Sequence, residues 1–313
     1  MELFNTTLNQ MAFLFLLILI GYGLRKSNFL PDNTAKVLSK LENAIFIPAL
    51  VLRTFVENFT LEKLAAAGSI FSVSLVIAII MIFVAIGISK CCTKDRYIQK
   101  IFTYGLAFSN FGFMGNAVVS ALFPDIFFEY LIFTLPLWSM IYIWGVPTLL
   151  LSETDTKQTI KDRLRAFVNP MLISMLVGMI IGIGGIKLPG WFSSAVSSSA
   201  DCMSPIAMLL TGITVAASDL KKILTNVRIY IVSVIRLILI PLIFIGILYF
   251  VKPDQTLAIC AVCSVAMPLG LNTIVIPNAY GKDTTVAAGM AVISHLMSCI
   301  TIPLIFMLMM RVL

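Results

Sequence analysis

Two stretches of this sequence place amides, glycines and prolines inside long apolar runs. The first, "FSNFGFMGNAVVSALFPD", carries Asn110, Gly112, Gly115 and Asn116 near its centre. An asparagine amide both donates and accepts hydrogen bonds, and glycine lets a chain leave helical geometry. This combination predicts a polar wall within an apolar segment. The same residues are also typical of close helix packing, with the amides bonded between helices.

The second stretch, "CSVAMPLGLNTIVIPNAYGKD", contains Pro268 and Asn272. Proline removes a backbone donor and clashes with the preceding helical turn, so it predicts an interrupted helix. The N–H groups freed at the start of a half-helix carry partial positive charge and suit anions. Neither stretch has Asp or Glu at its centre, which favours a neutral or anionic organic ligand over a cation.

Three ionisable residues inside apolar runs are further functional candidates. Arg236, in "SVIRLILIP", either anchors a substrate carboxylate, or reaches the membrane surface, or pairs with an acidic side chain. Asp201 either carries a proton or sodium ion, or is a solvated residue at a helix end. His295, the only histidine, is either a proton relay or a hydrogen-bonded structural residue.

The composition predicts that the segments carrying these residues lie in a membrane. Of 313 residues, 59% are apolar and only 12% are charged. The apolar residues fall in runs of roughly twenty, the length that crosses a hydrocarbon core as a helix. We therefore predict an all-α polytopic membrane protein. The net charge of +7 is expected in cytoplasmic loops rather than at a nucleic-acid surface.

The chain divides into ten predicted membrane segments. Their approximate bounds are 9–25, 36–56, 64–90, 98–121, 126–150, 168–186, 193–217, 228–250, 256–279 and 285–310. Loops after odd-numbered segments hold sixteen Lys and Arg, whereas the termini and the other loops hold five. Because positive residues prefer the cytoplasm, both termini are predicted to be outside the plasma membrane.

The two halves of the chain resemble each other. Residues 1–151 are predicted to form one five-helix repeat, 152–167 a cytoplasmic linker, and 168–313 a second repeat. An odd number of helices per repeat predicts that the second repeat is inverted, the plan of secondary transporters with a site near the midplane. The repeat matches Gly21 and Gly23 with Gly182 and Gly184, Pro48 with Pro205, and Pro147 with Pro303.

Five motifs give the chain a resemblance to the auxin efflux carrier family, whose bacterial members include malonate and malate transporters. They are "FIPALVL", "SNFGFMGNA", "SPIAMLLTGITVA", "AMPLGLNTIVIPNAYG" and "TIPLI". The resemblance implies a fold like that of bile-acid symporters and sodium/proton antiporters. Segments 1, 2, 6 and 7 would form a scaffold, often dimeric. Segments 3–5 and 8–10 would form a transport unit that moves like an elevator.

In this family, interrupted segments 4 and 9 would cross at the substrate site. Segment 4 of the family usually reads N-x-G-x-x-G-x-P. This chain has Asn110, Gly112 and Gly115 but Ala117 where proline is expected. The break in segment 4 is therefore expected to depend on the two glycines.

These observations predict a secondary active transporter for a small organic anion. The expected substrate is a mono- or dicarboxylate such as malonate or malate, or an auxin-like acid. The alternatives are a sodium-coupled symporter of the bile-acid type and a membrane sensor that does not transport. With no phosphate-binding loop and no nucleophile or metal-ligand pattern, neither an enzyme nor a cofactor is expected. The expected partners are the anion, H⁺ or Na⁺ as coupling ion, the lipid bilayer and a second copy of the chain.

Overall fold

The apolar runs form helices throughout the part of the chain that the structure describes. The computed structural model describes residues 2–151, 170–217 and 220–312, and the predicted linker, 152–167, lies outside them. We number the α-helices as follows: α1 Glu2–Lys26, α2 Thr34–Leu41, α3 Ile47–Asn58, α4 Leu61–Cys92, α5 Arg96–Ala107, α6 Asn116–Leu122, α7 Phe127–Met140, α8 Pro170–Ile183, α9 Gly190–Ala217, α10 Leu220–Thr225, α11 Val227–Val234, α12 Ile240–Val251, α13 Gln255–Ala266, α14 Asn272–Ala279 and α15 Thr285–Val312.

Four π-helical stretches connect or extend these helices. They join α2 to α3, precede α6, extend α7 and join α11 to α12. Their bounds are Glu42–Phe46, Phe111–Gly115, Ile141–Leu151 and Ile235–Leu239. The first and fourth continue their helices without a break, so α2 with α3 and α11 with α12 each form one long rod.

Five continuous helical stretches in the described ranges are long and apolar enough to cross a membrane. They are Gly68–Cys92, Pro124–Leu151, Gly190–Ala217, Val227–Val251 and Thr285–Val312. The first is the most apolar, yet only 22% of it is buried inside the protein, so most of it needs an apolar environment outside. The all-helical prediction is confirmed for the described residues. The ten-span count and the inverted repeat stay predictions.

Segments 4 and 9 are both interrupted, as their composition predicts. Helix α5 ends at Ala107 and α6 begins at Asn116, while α13 ends at Ala266 and α14 begins at Asn272. Ser109 and Leu269 form an antiparallel β-bridge, so the two interruptions lie side by side.

The break in segment 4 begins before the glycines that were expected to cause it. Phe108 already has extended backbone angles, φ −120° and ψ 112°, four residues ahead of Gly112. Gly112 and Gly115 lie in the π-helical turn that follows, where they allow close packing. An added Cβ would lie 2.1 Å from the Trp138 ring at Gly112 and 2.2 Å from the Tyr130 hydroxyl at Gly115.

The helices that flank this crossing pack in two sets. Helix α1 runs along α9, and α3 packs against both α8 and α9. Backbone contact at Gly21 and Gly212 is what lets α1 approach α9, since a Cβ at Gly212 would lie 2.0 Å from the Ile18 carbonyl oxygen. Helix α4 packs instead against α5 and α7. The division into scaffold and transport units stays a prediction.

Candidate functional site

The crossing of the two interrupted helices is built from backbone groups that the breaks set free. The Asn110 N–H donates to the Pro268 carbonyl oxygen over 2.7 Å. The Ser109 hydroxyl donates to the Ser264 carbonyl oxygen over 2.6 Å, and the Leu269 N–H reaches the Ser294 hydroxyl over 3.3 Å. Backbone that leaves helical geometry at membrane depth needs such partners, because lipid offers none.

Arg236 is held by carbonyl oxygens at the ends of two half-helices. Its Nη1 lies 2.9 Å from the Leu106 oxygen in the last turn of α5. Its Nε and Nη2 lie 3.4 Å from the Met267 oxygen and 3.5 Å from the Ser264 oxygen, at the end of α13. Helix C-termini carry partial negative charge, so this buried guanidinium compensates both of them. Its predicted role as a substrate partner is untested, and these contacts give it a structural one.

Asn110 and His295 form a buried pair at the crossing. The Asn110 Nδ2 lies 3.3 Å from His295 Nε2, and His295 Nδ1 lies 2.7 Å from the Ala291 carbonyl oxygen. A carbonyl only accepts, so Nδ1 carries the proton and Nε2 accepts from the amide. The Asn110 Oδ1 is buried and has no hydrogen-bond partner among the described residues.

Asn272 begins α14 and faces a different neighbour. Its Nδ2 donates to the Tyr104 hydroxyl over 2.9 Å, and its Oδ1 is buried without a partner in the part of the chain that the structure describes. The predicted amides therefore do not converge on one point. They lie along the seam between the two interrupted helices.

A cavity of about 450 Å³, which we call the Arg53 cavity, opens beside this seam. It lies between α3 and α9 on one side and the Phe111–Gly115 turn, α6 and α7 on the other. Three of the predicted site residues line it, namely Gly112, Asn116 and Asp201. Asn116 is half-buried, and its Oδ1 has no partner among the described residues.

Arg53 is a charged residue of this cavity that was not among the predicted site residues. Its Nη1 lies 2.8 Å from Asp201 Oδ1 and 3.4 Å from the Ser197 carbonyl oxygen. The Arg53 side chain is 25% exposed and that of Asp201 is 69% exposed, so the pair stands at the open side of the cavity. A signal was present in the repeat, because Arg53 follows Pro48 closely and Asp201 precedes the matched Pro205.

A second cavity, of about 370 Å³, lies beside the other end of the same long rod. We call it the Lys40 cavity, and it is lined by Lys40, Asn43, Ile276 and Tyr280 among others. Asn43 Nδ2 donates to the Val275 carbonyl oxygen of α14 over 3.1 Å. One rod, α2 with α3, thus borders a cavity at each end, and each cavity also touches one interrupted helix.

Comparison with known families settles the broad class of this protein. A family model described as "membrane transport protein" matches residues 6–306, nearly the whole chain. The chain belongs to the auxin efflux carrier family. The resemblance drawn from the five motifs is confirmed. A search of curated proteins finds no match. This auxin efflux carrier family member is therefore a membrane transporter, of a family that is not one of enzymes.

Proposed function

We propose that this protein is a secondary transporter of a small organic anion, and that the anion binds in the Arg53 cavity. A mono- or dicarboxylate such as malonate or malate is the proposed substrate. The observation that carries the proposal is the position of Arg53, whose guanidinium lies in an open cavity that Asn116 and Gly112 also line. A guanidinium binds a carboxylate through two parallel hydrogen bonds.

The size of the cavity supports a small carboxylate. Ligand sites usually measure about 300–1,000 Å³, and the Arg53 cavity, at about 450 Å³, falls at the small end. Asp201 already occupies one nitrogen of Arg53. Asp201 therefore holds Arg53 in place. It also competes with a substrate carboxylate for the guanidinium, which weakens anion binding.

An elevator-like movement is the mechanism that we propose. Inverted five-helix repeats, with both termini outside the plasma membrane, would place the Arg53 cavity at the outer face and the Lys40 cavity at the inner face. The two cavities border opposite ends of the α2–α3 rod, which would belong to the scaffold. The interrupted helices would carry the anion past this rod. Two copies would pair through the scaffold helices.

Counterflow in proteoliposomes tests the proposal directly. Unlabelled malonate or malate is loaded inside, and entry of the labelled acid is measured, with and without Na⁺. We expect counterflow by the wild type and its loss in Arg53→Gln. Counterflow also distinguishes a carrier from a sensor, because a protein that only binds the acid exchanges nothing across the bilayer.

Arg25→Gln is the matched control. Arg25 also pairs with an aspartate, Asp32, over 2.5 Å, but it lies away from both cavities. We expect this variant to transport normally. The double variant Asn116→Ala with Asn272→Ala is expected to lose counterflow. The proposed site is wrong if the double variant and Arg53→Gln both show full counterflow.

A further inference from the structure

Glu42 is a fully buried acidic residue that the proposed site does not use. Its exposed fraction is 0%, and neither carboxylate oxygen has a hydrogen-bond partner among the described residues. It begins the π-helical turn Glu42–Phe46 that joins α2 to α3. Short π-helical turns inside α-helices are frequent at functional sites. In the sequence, Glu42 precedes Pro48 in predicted segment 2, which places it at the cytoplasmic edge of that segment.

The elements that pack most closely on this turn bring no cation to Glu42. They are α2, α3, α8, α9 and α14. Neither α8 nor α14 contains an ionisable residue. The ionisable residues of the other three are Lys36 and Lys40 on α2, Arg53 and Glu57 on α3, and Asp201 and Cys202 on α9.

None of those groups is placed to pair with the carboxylate. Lys40 lies two residues before Glu42, hence on the opposite side of the helix, where it lines the Lys40 cavity. Arg53 is eleven residues further along, about 16 Å at 1.5 Å per residue, and it is paired with Asp201. An ionised carboxylate in such surroundings is strongly disfavoured, and binding a proton removes the charge and with it this free-energy cost.

One of the helices that pack on the turn of Glu42 is a helix that transport would move. Helix α14, the second half of an interrupted segment, packs on the Glu42–Phe46 turn. The next residue, Asn43, is hydrogen-bonded to Val275 of α14 and lines the Lys40 cavity. If α14 moves relative to the rod, this bond breaks and the packing around the turn that holds Glu42 opens.

We propose that Glu42 is a proton-binding site that links the transport cycle to pH. When α14 packs against the turn, the carboxylate takes one proton from the solution and becomes a neutral carboxylic acid. When α14 leaves, the acid releases that proton to the solution and is ionised. Acid pH therefore favours the packed state, and alkaline pH favours the open one. The link to transport rests on the proposed function, whereas the protonation itself does not.

Infrared spectroscopy of the purified protein tests the protonation without any substrate. At neutral pH a protonated carboxylic acid gives a C=O stretching band that shifts in D₂O, and ionised carboxylates do not. We expect this band in the difference spectrum between wild type and Glu42→Gln. The exposed carboxylate of Asp201 gives the control, because wild type minus Asp201→Asn is expected to lack it. A Glu42→Gln difference spectrum without the band overturns the proposal.

The pH profile of counterflow tests the link to transport. One proton shifts the equilibrium between the two states by up to about tenfold per pH unit. We expect the wild-type counterflow rate to change with pH and the Glu42→Gln rate to stay constant, since glutamine remains neutral. If Glu42→Gln is inactive, Glu42→Asp carries the test, because its shorter carboxyl group is expected to shift the profile.

The outcomes separate the two proposals. If the wild type shows no counterflow, the proposed function fails, and the infrared experiment still decides whether Glu42 binds a proton. If counterflow occurs and Glu42→Gln follows the wild-type pH profile, the proton-binding site is not linked to transport and the inference fails. The same holds if Glu42→Asp leaves the profile of the wild type unshifted.

Discussion

Replacing Arg236 by methionine is the sharpest test of how the crossing of the interrupted helices is stabilised. Methionine fills much of the same space but donates no hydrogen bond. The carbonyl oxygens of Leu106, Ser264 and Met267 would lose their shared partner in the protein interior. We expect the Arg236→Met protein to be less stable and its two interrupted helices to separate more easily.

The distances indicate how much stability the Arg236→Met protein should lose. The bond to Leu106, at 2.9 Å, is a good charge-assisted hydrogen bond, worth about 1.5–3 kcal/mol. The contacts at 3.4 and 3.5 Å are near the limit for hydrogen bonds. Interhelical hydrogen bonds measured in a membrane protein average about 0.6 kcal/mol, so we assign each of these two that value at most. The expected loss is therefore about 2–4 kcal/mol.

Thermal unfolding in detergent, with and without substrate, measures this loss. At roughly 2 °C per kcal/mol for a large domain, the apparent Tm should fall by about 4–8 °C. Arg236→Lys is expected to lie between wild type and methionine, because an ammonium keeps the charge but cannot fork to several carbonyls. Lys252→Met, at an exposed position after α12, serves as a control within about 0.5 kcal/mol of the wild type.

The same experiment separates the structural role of Arg236 from a role in substrate binding. A substrate partner would leave the Tm of the free protein unchanged and lose only the stabilisation that substrate adds. The carbonyl contacts predict the reverse, a lower Tm with substrate stabilisation retained. An Arg236→Met protein that unfolds at the wild-type temperature refutes the reasoning from these contacts.

Two further substitutions test the packing and the electrostatics of the site. Gly112→Ala places a Cβ 2.1 Å from the Trp138 ring and should destabilise the protein by about 1–3 kcal/mol, measured by thermal unfolding. Gly23→Ala is the control, because a Cβ there would have nothing within 4 Å and should not destabilise. Equal Tm values for the two variants would contradict the packing argument. Asp201→Asn removes the competitor for Arg53, so the KM for the anion in transport assays should fall while stability changes by less than about 1 kcal/mol. A higher KM in Asp201→Asn would show that the carboxylate helps rather than hinders binding.

Much of the helical organisation was predictable from local patterns. Apolar runs of membrane length, separated by polar and Pro/Gly residues, predicted helix positions to within a few residues for α4, α9 and α15. Pro268 predicted the break before α14. The break before α6 was also predicted, but its position was not. It begins at Phe108, ahead of both glycines, and the next residue, Ser109, forms a β-bridge with Leu269 across the crossing.

The candidate site was predictable only in part. Asn116, Gly112 and Asp201 were expected to be functional and do line one cavity, although their roles stay predictions. Arg53 was not predicted as a site residue. Its partner Asp201 lies 148 residues away, and no local pattern connects the two.

Local sequence patterns were enough to predict where helices run, where two of them break, and to which family the chain belongs. These properties depend on the periodicity, length and composition of short segments. Which polar groups meet could be seen only in the folded protein. It directs Arg236 to the carbonyl ends of two half-helices, pairs Arg53 with Asp201, and leaves Glu42 buried without a partner. Such contacts depend on how helices that are distant in sequence cross. In an apolar interior, each polar group that finds or lacks a partner strongly changes the free energy of folding.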